Sequence, residues 1–348
     1  MSKIIFLTND STESHLGQSQ IMQYVNELRN YHTIDIVSKG SSTNENNSYY
    51  HWIISAFKST KKDIDIVHCR SYIACWTALF IKIITNRKFK VLFDARGLWV
   101  DERIENNQKI IINLSSIFRF LEKWAYEKSD FVLTLTLSHK NYINNKFNIK
   151  RSDVIRTAYA NKNTFTQINK RKDQLIFAGT IGGYYNPRFI FNVFKLYLNI
   201  SNTNEVLILT KTSKYILENY IKTFRIDKSR ITIKSVPHFQ IGEYLSKGKI
   251  GLIYFDNTTS AIGRNPTKFA EYLAFGLKVL MPNHIADVDI LSEYAYRGSG
   301  CSVFNNEEDI EMALKELVEN DSKYKPYLEK PFSLKYILNK YLEAYNNI

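Results

Sequence analysis

Short apolar runs of strand length alternate along the chain with longer segments whose apolar residues recur every three to four positions, the pattern of parallel sheets covered by helices. In the first half, residues 3–8, 33–37, 64–68, 90–94, 131–136 and 154–156 read as strands, and 18–30, 72–85, 111–128 and 138–146 as helices. The second half repeats the scheme, with strands at 174–179, 205–210, 230–234, 250–255, 278–281 and 301–304. The polar stretch 161–173 reads as a linker and the Asn/Ser-rich piece 41–48 as a surface loop. The last segment, 333–348, carries Leu334, Ile337, Leu338, Tyr341 and Leu342 at helical spacing and is expected to return to the first domain. The fold class is therefore α/β, with two Rossmann-like parallel-sheet domains at 1–160 and 174–332.

Composition fits that division. A chain of 348 residues, 44% hydrophobic and 23% charged, is large enough for two ordinary cores. Lys and Arg outnumber Asp and Glu by 47 to 34, a net charge of +13, so an anionic partner is expected: nucleic acid, acidic lipid or a phosphorylated small molecule. The basic residues are spread through the chain, which argues against a nucleic-acid arm. Cys69, Cys75 and Cys301 fit neither a disulfide framework nor a zinc motif, and a reducing cytoplasm suits them. The apolar start, Ile4 to Leu7, is too short for a signal peptide, and no run approaches the ~18 apolar residues of a membrane span. A soluble or peripheral protein is expected.

In open parallel sheets, ligands gather beyond the carboxyl ends of strands, so the chemistry should follow the apolar runs. Gly17 stands at the head of a helix after the first strand, where a glycine admits a phosphate or simply serves a capping turn. His68-Cys69-Arg70-Ser71 is expected just after the third strand, and His68 reads equally as a structural or a catalytic histidine. The run 94–103 places Asp94, Arg96, Trp99, Asp101, Glu102 and Arg103 within ten positions. Read as a loop, it offers carboxylates and guanidinium groups to orient sugar hydroxyls and an indole to stack on a sugar face; its alternative is a surface loop with internal ion pairs. The glycines at 179, 182 and 183 do not have dinucleotide-fingerprint spacing, and no GxxxxGK[ST] phosphate loop occurs. Most informative is 263–280: Pro266-Thr267 opens a helix, Gly276 closes it, Lys268 lies in its first turn, and Glu271 falls about one turn from Thr267.

The segment PTKFAEYLAFGLKVLM resembles the nucleotide-sugar helix of GT-B glycosyltransferases, and within them the retaining family 4 enzymes. Supporting similarity comes from the Gly17 loop, Asp65-Ile66-Val67-His68, the run 131–138, Ile155-Arg156-Thr157-Ala158 and Phe177 to Thr180, in an order that covers nearly the whole chain. The resemblance implies two Rossmann-like domains facing a central cleft. It implies that Glu271 binds the donor ribose and that Lys268 and Arg264 hold the diphosphate with help from Gly17; Thr180 and Thr267 are further candidates for the donor site. Two positions depart from the pattern: Gly263 stands where the family's paired-glutamate motif has its other acid, and Thr180 or Ile181 where an Arg often follows the first strand of the second domain. A phosphoribosyl diphosphate donor therefore stays open beside a nucleotide sugar.

The function expected is transfer of a sugar, with retention and without a metal or other cofactor, to a glycan or lipid-linked acceptor of surface polysaccharide or glycolipid. His68, Asp94, Arg96 and Glu102 are the candidate catalytic residues, positioning donor sugar and acceptor. A nucleotide-sugar epimerase of the same architecture and a non-catalytic anion- or nucleic-acid-binding protein are the alternatives. Peripheral contact with an anionic membrane at the inner face of the cell is expected through 117–128 and 80–90, the latter by way of Lys82, Arg87, Lys88 and Lys90.

Overall fold

The computed structural model describes residues 1–14, 17–40, 48–60, 63–158, 171–183, 185–285, 287, 300–319 and 332–348. Most of the expected linker 161–173 and of the loop 41–48 lies outside them. The chain divides into two compact units, one of Met1–Ala160, Ile262–Asn265 and Lys330–Ile348, the other of Asn161–Ala261 and Pro266–Glu329.

Unit 1 holds a six-stranded parallel sheet, β1 (Lys3–Thr8), β2 (Thr33–Ser38), β3 (Ile66–Arg70), β4 (Lys90–Asp94), β5 (Phe131–Thr134) and β6 (Ser152–Val154), in the order β2-β1-β3-β4-β5-β6. Its central strands are buried along almost their whole length, as a sheet covered on both faces requires. One face is covered by α1 (Gln23–Leu28), which continues a π-helical turn at Gln18–Met22, and by α13 (Leu334–Asn346). The other is covered by α2 (Tyr49–Ser59), α3 (Tyr72–Thr85), α6 (Ser115–Lys128) and α7 (Leu137–Phe147), with the short α4 (Trp99–Glu105) and α5 (Lys109–Asn113) leading into α6.

Several boundaries differ from the sequence reading. Strand β3 runs two residues further than expected, to Arg70, so His68 lies inside the strand and not after it. The run 94–103 is only partly a loop: helix α4 starts at Trp99, and Asp101 and Glu102 in its first turn suit the dipole. The helix expected over 111–128 is broken at Leu114, where the backbone leaves helical geometry between Asn113 and Ser115, residues that compete for backbone hydrogen bonds. The last strand of the unit also sits two residues earlier than 154–156.

Unit 2 repeats the design with β7 (Gln174–Ala178), β8 (Glu205–Leu209), β9 (Ile231–Lys234), β10 (Ile250–Leu252), β11 (Lys278–Pro282) and β12 (Cys301–Phe304), ordered β12-β11-β10-β7-β8-β9. Its helices are α8 (Pro187–Ile200), α9 (Lys214–Thr223), α10 (His238–Leu245), α11 (Thr267–Ala274) and α12 (Asp309–Glu319). Local chemistry fixes their ends. Asn186 caps α8 by accepting from the Arg188 N–H, with Pro187 in the first turn. Gly276, at φ +71°, ends α11: its N–H donates to Leu273 O while that of Leu277 donates to Tyr272 O, the paired bonds of a Schellman turn.

Candidate functional site

Each sheet has one point where the strand order reverses, and there the loops beyond adjacent carboxyl ends part to leave a crevice. In unit 1 this point lies between β1 and β3; in unit 2 it lies between β7 and β10.

Beyond β1 and β3 stand Asn9, Asp10 and Ser71. The Ser71 hydroxyl donates to Asn9 Oδ1, and Arg70 Nε lies 3.9 Å from Asp10. Ser71 has φ +98° and ψ 162°, a conformation that a side chain rarely adopts and that neighbouring structure must hold in place. Gly17 is explained by its own loop: a Cβ there would meet Ser11 O at 2.1 Å, and the Gly17 N–H already donates to Ser14 Oγ at 2.9 Å.

The two-residue extension of β3 decides where its polar residues point. Ile66, His68 and Arg70 share one face by the period of two, and across the register His68 and Arg70 stand beside Leu92 and Asp94. All three polar residues are buried under α1 and α13, at 0%, 2% and 1% exposure for His68, Arg70 and Asp94. Asp94 Oδ2 is 2.8 Å from Arg96 Nη2 and 3.6 Å from both Arg70 Nη1 and His68 Nε2. Arg96 Nη2 also donates to Tyr341 OH at 2.9 Å, Arg70 Nη2 donates to Gln20 at 2.8 Å, and His68 Nδ1 is 2.8 Å from Tyr345 OH.

Electrostatics fixes the protonation of this group. Burial pushes the Asp94 carboxyl up, but Arg96 foremost, with His68 and Arg70, overrides it and holds the group below the usual carboxylate range. Burial pulls His68 down, so its imidazole is neutral near neutrality. With a carboxylate facing Nε2, the proton belongs on that nitrogen, and Tyr345 donates to Nδ1. Arg96 and Arg70 share the Asp94 carboxylate, and Asp10 at the outer side of Arg70 offsets the second guanidinium charge.

The structure thus brings His68, Asp94 and Arg96 together and adds Arg70, Tyr341 and Tyr345, which sequence reasoning had not placed with them. Glu102 lies elsewhere, half-buried on α4. The Trp99 indole, expected to be exposed for stacking, is packed edge-on against Trp76 with centroids 5.6 Å apart, and against Phe118 at 5.7 Å. Arg264 belongs to unit 1 and stands 3.6 Å from Glu105. Its segment is seated by close approach: a Cβ on Gly263 would lie 2.9 Å from Gly97 Cα, and Asn265 Oδ1 accepts from the Thr157 N–H.

In unit 2, Thr180 is exposed just beyond β7, and Thr267, Lys268 and Glu271 form the start of α11 beyond β10. Tyr272 anchors that helix. Its hydroxyl accepts from the Ala178 N–H at 2.9 Å, and its ring fills the space a side chain at residue 251 would need, 2.2 Å from the Cβ position of Gly251. The helix therefore starts at the switch point. Its N-cap residue, Pro266, makes no side-chain cap and no acid lies in its first turn, so the positive end of the helix dipole is left at the mouth. Lys268 Nζ donates to Glu271 Oε2 at 2.7 Å, which holds both side chains at that mouth. Gly182 and Gly183 follow at φ +125° and +63°, with open space around both Cβ positions, so backbone conformation alone calls for glycine there. Among the described residues, no group of three or more His, Cys, Asp or Glu could hold a metal ion.

No protein-family model matches this chain, and no curated protein matches it in sequence. Solved structures do match its fold, along nearly the whole chain. Sucrose-phosphate synthase from Thermosynechococcus elongatus aligns with TM-score 0.70 at 11% identity, covering 99% of this chain and 98% of the other. The apo form of the lipopolysaccharide outer core galactosyltransferase WaaB aligns at 0.69 and 12%, covering 99% of both chains. HepE from Anabaena in complex with UDP aligns at 0.69 and 10%, covering 99% and 100%. The fold is the GT-B fold of glycosyltransferases.

Proposed function

We propose that this protein is a glycosyltransferase that takes a nucleotide diphosphate sugar as donor. The observation that carries the reading is the mouth of α11, where Lys268 and Glu271 are paired at the switch point of the second sheet. A diphosphate suits the positive end of the helix dipole and the ammonium, and a carboxylate held by that ammonium suits a ribose diol. The HepE structures, one in complex with UDP and another with UDP-glucose, support the donor class. In this reading the leaving diphosphate is stabilised by helix N–H groups and cations without a metal, and transfer retains the anomeric configuration. His68, Asp94 and Arg96 act from within unit 1 as positioning groups, since His68 and Asp94 are fully covered. The acceptor is a glycan or lipid-linked saccharide at the inner face of the cell membrane.

A second reading is a nucleotide-sugar epimerase, favoured by the fold of a putative UDP-N-acetylglucosamine 2-epimerase from Listeria monocytogenes, which aligns at TM-score 0.59 and 10% identity. Binding of nucleoside diphosphates and their sugars to purified protein, followed by product analysis with and without acceptor, separates the two. Glu271→Ala and Lys268→Ala should each weaken UDP-sugar binding by about 1.5 to 3 kcal/mol. Unchanged affinity in both variants, or turnover of phosphoribosyl diphosphate alone, would overturn the donor assignment.

A further inference from the structure

The helices of unit 1 on the face away from α13 have apolar residues on both sides. Inward, α2 and α3 supply Trp52, Ala56, Ala78 and Ile81 to the core. Outward, α2 exposes Tyr50, Ile53 and Phe57, at 67%, 46% and 41%. Helix α3 exposes Phe80, Ile83 and Ile84, at 60%, 65% and 56%, and α5 and α6 expose Ile110, Ile117 and Phe120, at 72%, 54% and 66%. Of the 17 large hydrophobic residues exposed among the described residues, 12 lie on these four helices or on Leu114, which joins the last two; unit 2 has three. Such a concentration marks an interaction surface.

The surface is continuous. The Arg87 guanidinium lies 4.8 Å from the Phe57 ring centre and donates to Phe57 O, tying α2 to the end of α3, and the Trp76 indole donates to Leu121 O at 2.8 Å, tying α3 to α6. It is also cationic. Residues 49–59, 72–89 and 109–128 contain eight Lys or Arg and two acids, Glu122 and Glu127, and Glu122 is buried against Arg119. The basic patch at 80–90 is less available than its sequence implied, because Lys82 and Lys90 share Asp130, at 3.1 and 3.0 Å, while Ile81 belongs to the core. Lys58, Lys88 and Lys109 are exposed beside the apolar side chains.

We propose that this surface seats unit 1 on an anionic lipid bilayer, its apolar side chains entering the acyl boundary and its flanking cations meeting the headgroups. A second copy of the chain fits poorly, since a two-fold interface would set this cationic surface against itself. The proposal does not depend on the donor reading.

Co-sedimentation of the full chain with phosphatidylglycerol-rich vesicles, against pure phosphatidylcholine, tests it. Binding should need the anionic lipid and weaken as salt rises. Ile83→Glu combined with Phe120→Glu should lower vesicle partition at least ~10-fold, with melting temperature and nucleotide-sugar affinity unchanged. Lys58→Gln, Lys88→Gln and Lys109→Gln together should lower it less and flatten the salt dependence. Absence of binding by the natural chain, wild-type binding by both variants, or a solution dimer that Ile83→Glu dissolves would each overturn the proposal. Nucleotide-sugar affinity is read in the same samples, so failure on vesicles and failure of the donor reading are told apart.

Discussion

The hydroxyl of Tyr345 stands 2.8 Å from Nδ1 of His68, across 277 positions of sequence. Four residues earlier on α13, Tyr341 receives a hydrogen bond from Arg96, so two tyrosines one helical turn apart close the polar cluster of β3 and β4. The last helix is thereby part of the core of unit 1, and the cluster is shielded from water by aromatic rings.

Tyr345→Phe should therefore cost about 1 to 2 kcal/mol in urea unfolding, because it leaves the buried His68 Nδ1 without a donor. Tyr345→Ala should cost more, roughly 3 to 5 kcal/mol, through the cavity it opens. An unfolding midpoint unchanged by Tyr345→Phe would mean that the hydroxyl contributes nothing, and equal losses from the two would mean that the ring adds nothing to it.

For Asp94 and Arg96 the geometry predicts a stability phenotype before a catalytic one. Arg96→Ala removes the best partner of a buried carboxylate and should cost about 3 to 5 kcal/mol, whereas a paired Asp94→Asn, Arg96→Gln variant should recover a large part of that. If the single variants keep the wild-type unfolding midpoint and lose only turnover, these residues work on substrate directly.

Much of this arrangement can be read in the chain. The alternation of strands and helices predicts both sheets, and Pro266-Thr267 and Gly276 bracket α11 as found. What cannot be read is partnership across distance. His68, Arg70 and Asp94 follow apolar runs and so resemble loop chemistry, but β3 continues to Arg70 and turns two of them inward. The spacing Ile66, His68, Arg70 carries a period-two signal for this, and the Tyr341, Tyr345 pair is the corresponding signal on α13. Trp99 misleads for the same reason: the charges around it suggest a loop, while Trp76 and Phe118 on other helices enclose its ring.

Glycine substitutions should separate two physical causes. Gly17→Ala forces a Cβ into Ser11 O, a backbone atom, and should destabilise unit 1 by several kcal/mol. Gly182→Ala meets no atom and should cost only the strain of its positive φ, about 1 to 2 kcal/mol. Thermal unfolding of both variants checks the order, and a larger loss at 182 would contradict it.

The last prediction concerns acid. Burial pulls the His139 imidazole, which meets Tyr126 OH through Nε2 at 2.9 Å, down to about 3, and pulls His68 down from its ordinary 6.5 as well. Between the folded and unfolded values the unfolded chain binds protons that the folded chain does not, so stability falls as pH drops below 6.5. The window for His139 runs from 6.5 down to about 3, at roughly 1.4 kcal/mol per pH unit. Asp94 acts in the same direction lower down: its carboxyl is held below the ordinary carboxylate value, so its contribution is present above that value and lost as pH falls through the depressed one. Measured by urea unfolding from pH 7.5 to 4.5, the natural chain should lose stability steadily below 6.5. His139→Gln, which cannot take up a proton, should start less stable and show a shallower slope, and a second change, His68→Asn, should flatten it further. A slope unaltered by either substitution would place the acid sensitivity in the carboxylates or in His32 and His284, which burial also pulls down.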